Sequence, residues 1–86
     1  MIEVLLVTAP GCHFCTDARA ALLELATSFP VAVREIDAAS SEGLDAVERH
    51  RPPLWPLVLV DGAYFSSGRL PRTKLRSLLS RSTSAA

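Results

Sequence analysis

Cys12 and Cys15 are the only cysteines in this chain, and they stand where an apolar run gives way to a helical pattern. Residues 2–7 have the composition of a buried strand and Ala9-Pro10-Gly11 is a turn. Phe14, Ala18, Ala21, Leu22 and Leu25 then recur at helical spacing. The pair therefore straddles the first turn of a helix that springs from the end of a strand. Unpaired N–H groups and the positive end of the helix dipole favour a thiolate there. Cys12, at the tip, gains most and is the expected nucleophile. Cys15, one turn in, is near enough to close an intramolecular disulfide and is the expected resolving thiol.

Other uses of the pair meet obstacles. A structural zinc site normally takes four ligands. Only His13 and His50 are at hand as partners, and His13, between the cysteines, points away from their face. No metal site is therefore expected. A purely structural disulfide closing so short a loop would restrain little of the unfolded chain. The strand–turn–helix setting favours thiol–disulfide chemistry, which a reducing compartment also favours over a structural role for C-x-x-C.

At 86 residues the chain is one small domain, with a core just large enough to fold alone. Nine basic residues balance nine acidic ones, so no nucleic-acid footprint is expected. No stretch reaches the roughly 20 apolar residues that span a bilayer, so no membrane association is expected. The chain enters its first strand directly after Met1, which leaves no room for a signal peptide and makes the cytoplasm the expected location. A monomer is expected.

Downstream, Ser28-Phe29-Pro30 breaks the helix and residues 31–36 alternate as a second strand, with Val31 and Val33 on one face. Ser40 or Ser41 caps a short second helix running to Arg49, with Leu44 and Val47 sharing a face and Gly43 weakening it. Arg51-Pro52-Pro53 stops it. Residues 57–60 are continuously apolar, as a strand covered on both faces would be. Asp61-Gly62 signals a hairpin and residues 63–66 return. Pro71 suits the first turn of a last helix striped by Leu75, Leu78 and Leu79. The domain is expected to span residues 1–80, leaving 81–86 as a flexible tail. The order is β-α-β-α-β-β-α, an α/β fold with a mixed four-stranded sheet and three helices. Its first two strands are parallel through a right-handed crossover.

The element order, the segment Thr8-Ala9-Pro10-Gly11-Cys12-His13-Phe14-Cys15 and the segment Leu54-Trp55-Pro56 leading into the apolar strand resemble a glutaredoxin of the thioredoxin superfamily. Small bacterial glutaredoxin-like proteins are the nearest in kind, and the likeness covers roughly residues 2–80. It implies a thioredoxin/glutaredoxin-like fold. It also implies that Pro56, rather than Pro52 or Pro53, is a cis proline facing the cysteines. Backbone freed at Trp55 would pair with an extended peptide. His13, Phe14, Trp55, Pro56, Ser67 and Gly68 are the implied substrate-side residues. Trp55 is either a docking platform or part of the core. His13, if protonated, would stabilise the thiolate; otherwise it is an exposed bystander.

Two departures bear on glutathione. Glutaredoxins usually place a lysine shortly before the first cysteine, where this chain has Ala9-Pro10. They also carry an acid at the start of the last helix, where this chain reads Ser66-Ser67-Gly68-Arg69-Leu70. Arg69 and Arg72 lie near enough to meet an anionic substrate. Thioredoxins have a buried acid on the strand entering the motif, and Val4-Leu5-Leu6-Val7 has none. The expected activity is dithiol–disulfide exchange by a thiol–disulfide oxidoreductase with no cofactor, glutathione being a doubtful participant. Its partners would be a disulfide-containing protein or low-molecular-weight thiol and an electron-donating reductase. The rival readings are a non-catalytic interaction domain that binds a partner strand in the same groove, and a metal- or cluster-carrying C-x-x-C protein.

Overall fold

The two apolar runs become the two central strands, because each is apolar on both faces and needs cover on both. The computed structural model describes residues 2–84. Its elements are β1 (Ile2–Thr8), α1 (Cys15–Ala26), β2 (Val31–Asp37), α2 (Ser41–His50), β3 (Leu57–Val60), β4 (Ala63–Ser67) and α3 (Arg72–Ser84). The sheet runs β2-β1-β3-β4, with β2 parallel to β1, β3 antiparallel to β1, and β4 antiparallel to β3. The expected element order and strand directions are found.

Alternation along β1 and β3 divides the core into two layers. Val4, Leu6 and Val58 pack with Ala18 and Leu22 of α1 and Leu75 and Leu79 of α3. Leu5, Val7, Leu57 and Leu59 pack on the opposite side with Ala46 of α2. At the sheet edge, β2 keeps Val31, Val33 and Ile36 half-buried and exposes Arg34 and Glu35, charges that blunt an open edge. Arg19 of α1 donates to Glu35 at 2.7 Å, and Arg34 pairs with Glu42 of α2. The Glu42 carboxylate raises the Arg34 pKa above its ordinary value.

The hairpin is built as its residues require. Asp61 and Gly62 both have positive φ, 49° and 83°, the combination that a type I′ turn needs. Asp61 also extends the sheet: its N–H donates to Glu3 O at 2.8 Å, and its carboxylate accepts from Glu3 N at 2.9 Å. One irregularity in β4 falls between the pairs Val58–Ser66 and Leu59–Tyr64, leaving Phe65 as the extra residue. That residue packs, half-buried, on the α1/α3 layer.

The helices depart from the sequence reading in informative ways. The first helix begins at Cys15, so Cys12 lies in the preceding turn and the pair does not straddle a helical turn. Phe14 is 41% exposed and does not share the buried face of Cys15, Ala18, Ala21, Leu22 and Leu25. In α2, Ser40 is the cap and accepts from Gly43 N at 3.0 Å. Gly43 and Ala46 face inward there while Leu44 is 59% exposed. The reason is proximity: a Cβ on Gly43 would lie 2.0 Å from the Asp37 carbonyl oxygen. Gly43 is thus what lets α2 approach the end of β2, and a leucine stripe has no room there. Pro71 accepts from Leu75 N at 3.0 Å and precedes the last helix instead of lying within it. That helix continues to Ser84, through most of the expected tail, from a turn anchored by the fully buried Leu79. Residues 85 and 86 of that tail lie outside the described residues.

Gly43→Ala is expected to destabilise the fold by about 1–3 kcal/mol through overpacking. Alanine's better helix propensity of about 1 kcal/mol would oppose this. Urea unfolding of the two proteins checks it, and a neutral or stabilising result would show that α2 can move away without loss.

Candidate active site

β1 delivers the chain to the site. After Thr8, Cys12 N donates to Ala9 O at 3.3 Å and closes a turn. Gly11 sits in that turn at φ 73° with no atom within 4 Å of where a Cβ would be. Backbone conformation, not space, calls for glycine there. Cys12 and Cys15 are joined in a disulfide with a Cα–Cα separation of 5.5 Å. Cys12 is half-buried and Cys15 is 5% exposed.

The helix that begins at Cys15 is not closed by a side chain. Phe14, its N-cap residue, makes no side-chain cap, and the first helical bond runs from Ala18 N to Phe14 O at 2.9 Å. The N–H groups of the first turn are therefore left beside the cysteines, together with the positive end of the dipole. A helix N-terminus therefore stands beside the pair, and Cys12 reaches it from the turn before the helix.

Across the sheet end, Val7 pairs with Leu57 and Leu57 with Ser67. That register sets Pro56 and the Ser67-Gly68 segment at the same end of the sheet as the Cys12 turn. The Trp55–Pro56 bond is cis, as the resemblance implied, and Pro56 is fully buried. Gly68 N donates to Pro56 O at 3.0 Å. Neither the amide nor the carbonyl of Trp55 has a hydrogen-bond partner among the described residues. The Trp55 side chain is half-buried against the α2 layer of the core, so it belongs in part to the core.

This β2-β1-β3-β4 sheet, with the cysteine pair after the first strand, matches thioredoxins of known structure. Thioredoxin O2 from Arabidopsis thaliana aligns with a TM-score of 0.69 and 19% identity over 94% of this chain and 74% of that one. A mutant thioredoxin from Halobacterium salinarum gives 0.67 and 20% over 93% and 73%. Mitochondrial thioredoxin 3 from Saccharomyces cerevisiae gives 0.66 and 20% over 93% and 77%. The chain has the thioredoxin fold. No protein-family model matches the sequence, and no curated protein matches it either.

Around the disulfide of this thioredoxin-fold chain, the remaining residues divide into those that face solvent and those already engaged. His13 and Phe14 are exposed. Leu54, absent from the sequence-based set, is 57% exposed. It lies against Gly68, where a Cβ would meet its Cδ1 at 3.0 Å. Only its position next to Trp55-Pro56 in a proline-rich break could have flagged it. The Ser67 hydroxyl shares a 2.9 Å hydrogen bond with Tyr64. Arg72 is not open to an anionic substrate. It is held by Asp17 of α1 at 2.7 Å, with Glu24 at 3.9 Å. Arg69 is exposed and makes no ion pair among the described residues. His50 lies 6.2 Å, ring to ring, from Tyr64, away from the cysteines in sequence and in sheet position.

Alkylation of the fully reduced protein near neutral pH is expected to label Cys12 well before Cys15, because only Cys12 combines exposure with the helix N-terminus. Peptide mapping of the adduct reads the result, and faster labelling of Cys15 would reverse the two roles.

Proposed function

We propose that this chain is a glutaredoxin-like thiol–disulfide oxidoreductase. The reading rests on one observation above the others: a Cys12–Cys15 disulfide at the end of β1, with one sulfur half-buried and the other nearly sealed. The thioredoxin fold supports it.

In the reducing direction, the Cys12 thiolate attacks one sulfur of a substrate disulfide. The substrate S–S bond breaks, one substrate thiolate leaves, and a mixed disulfide forms at Cys12. The Cys15 thiolate then attacks Cys12 Sγ and expels the second substrate thiolate. The substrate gains two electrons and two protons, and the protein is left with the Cys12–Cys15 disulfide. A dithiol reductase or another low-molecular-weight thiol restores the reduced pair. The exchange uses no metal or organic cofactor. A substrate polypeptide would lie beside Phe14 and Leu54 and hydrogen-bond to the backbone of Trp55, a mode that tolerates many sequences. The reducing cytoplasm is the compartment in which such a pair would cycle.

Insulin reduction monitored with dithiothreitol as electron source tests the activity. The wild-type chain is expected to accelerate it and Cys12→Ser to abolish the acceleration, whereas Cys15→Ser should accumulate a mixed disulfide. Acceleration that survives Cys12→Ser would remove the basis of the proposal.

Glutathione is expected to bind weakly. The lysine that glutaredoxins place before the first cysteine is absent, and so is the acid at the start of the last helix. Arg72, at the start of that helix, is engaged by Asp17. Each charge-assisted hydrogen bond lost is worth about 1.5–3 kcal/mol, and each 1.4 kcal/mol is roughly tenfold in affinity. A Cys15→Ser variant assayed on glutathione mixed disulfides should therefore be at least about tenfold less efficient than a standard glutaredoxin. Equal efficiency would point to glutathione contacts made by other residues.

A further inference from the structure

The balanced net charge of this chain conceals a strong asymmetry. All nine acidic residues lie at or before Asp61, together with four of the nine basic ones. The other five basic residues, Arg69, Arg72, Lys74, Arg76 and Arg81, follow Gly68. By side chains alone, residues 1–68 therefore carry a net −5 and residues 69–86 a net +5. The positive charge is gathered along α3 and its approach.

Most of that charge is unspent. Arg72 is paired with Asp17 and Glu24, and Lys74 lies 5.5 Å over the Phe65 ring. Arg69, Arg76 and Arg81 are exposed and make no ion pair among the described residues. Helical spacing sets Thr73, Arg76, Ser77 and Ser80 on one stripe, and Lys74, Arg76, Ser77, Ser80 and Arg81 line one shallow groove. The stripe starts at the redox site: Arg72 reaches Asp17, two residues beyond Cys15, and Arg69 follows the Gly68 that hydrogen-bonds Pro56. Exposed Phe14 and Leu54 lie at that same end.

We infer that α3 is a docking surface for an acidic protein partner whose disulfide is exchanged at Cys12, with Arg69, Arg76 and Arg81 holding its negatively charged flank. The inference rests on the exchange reading above and specifies the class of partner. The chemistry favours protein over the other polyanions. Neither a nucleic acid nor a lipid carries a disulfide to exchange with a site at the head of the stripe. Leu75 and Leu79 are buried in the core, so the helix has no apolar face to lay into a bilayer. The exposed residues between the basic ones on α3 are threonine and serine, without the aromatic platforms that single-stranded nucleic acid stacks upon. An apolar patch rimmed by arginine is the usual anatomy of a protein interface.

Three synthetic peptides test this. Each carries one cysteine in mixed disulfide with thionitrobenzoate, and they differ only in a flanking run of glutamate, glutamine or lysine. Release of the coloured thiolate by the reduced protein is followed at low and high salt. The glutamate peptide is expected to react about tenfold faster than the lysine peptide at low ionic strength. The gap should close near 0.5 M salt, where the screening length shrinks to roughly 4 Å. The combined substitutions Arg69→Glu, Arg76→Glu and Arg81→Glu should invert the order. The readout is the ratio of charged to neutral peptide rates, so a change in thiol reactivity common to all three cancels. Should that variant misfold, the corresponding glutamine variant should abolish the preference, and the wild-type salt dependence stands independently. Equal rates for all three peptides would overturn the docking surface and leave the exchange activity intact. No release above that of Cys12→Ser would remove both. Tighter binding of single-stranded RNA or of phosphatidylglycerol vesicles than of the glutamate peptide at about 0.15 M salt would assign the stripe to that ligand instead. Salt-sensitive self-association seen by sedimentation would assign it to a second copy, and either result overturns the proposal.

Discussion

Burial of β1 on both faces is the constraint on which the rest depends. A strand with Leu5 and Val7 toward one helical layer and Val4 and Leu6 toward the other cannot shift by one residue without placing each side chain in the wrong layer. The register is fixed further by seven pairings to β2 and four to β3, and by the two hydrogen bonds exchanged between Asp61 and Glu3 at the strand's beginning. The end of β1 is consequently a rigid launching point. The turn at Ala9-Pro10-Gly11 then has only a few residues in which to bring Cys12 beside the start of α1. Catalytic geometry held by strands and helix ends is better defined than geometry held by long loops.

What the sequence made legible follows the same physics. Patterns set by burial could be read: the two apolar runs, the helical stripe ending in Leu22 and Leu25, and the Asp61-Gly62 turn all match what is observed. The cysteine pair stands out by its chemistry and spacing, and the cis bond at Pro56 is legible only through the family resemblance. What escaped was set by relations between distant segments. Gly43 appeared as a weak point in a helix, since nothing local discloses the Asp37 carbonyl that it must clear. Leu44 and Val47 share a face in the sequence pattern, and the close approach at Gly43 leaves Leu44 exposed. Nothing near Arg72 in sequence discloses that it is engaged, because its partner Asp17 is 55 residues away.

The charge distribution carries a related lesson. Equal numbers of basic and acidic residues invite the conclusion that electrostatics is uninformative, yet the two signs are separated along the chain and the fold keeps them separate. Acidic residues of α2 and β2 find local partners, as in Arg34–Glu42 and Arg49–Asp45. Arg76 and Arg81 of α3 make no ion pair among the described residues, whereas the Arg72 contacts fasten α3 to α1. Net charge constrains solubility and long-range attraction, whereas its distribution constrains which face a partner meets first.

The unequal exposure of the two sulfurs bears on kinetics. On the proposed exchange reading, with Cys15 5% exposed at the start of α1, an incoming thiol or disulfide would react at Cys12, whichever way the electrons flow. Oxidant and reductant therefore occupy one position in turn and cannot be bound together there. A cycle run through such a site would be double-displacement: the first product would leave before the second substrate enters, and initial-rate plots at several concentrations of the second substrate would give parallel lines. Each reactant also inhibits the other by competing for the form of the protein it does not productively use. The rate of the whole cycle is then governed by the balance between the two pools as much as by the reactivity of either thiol.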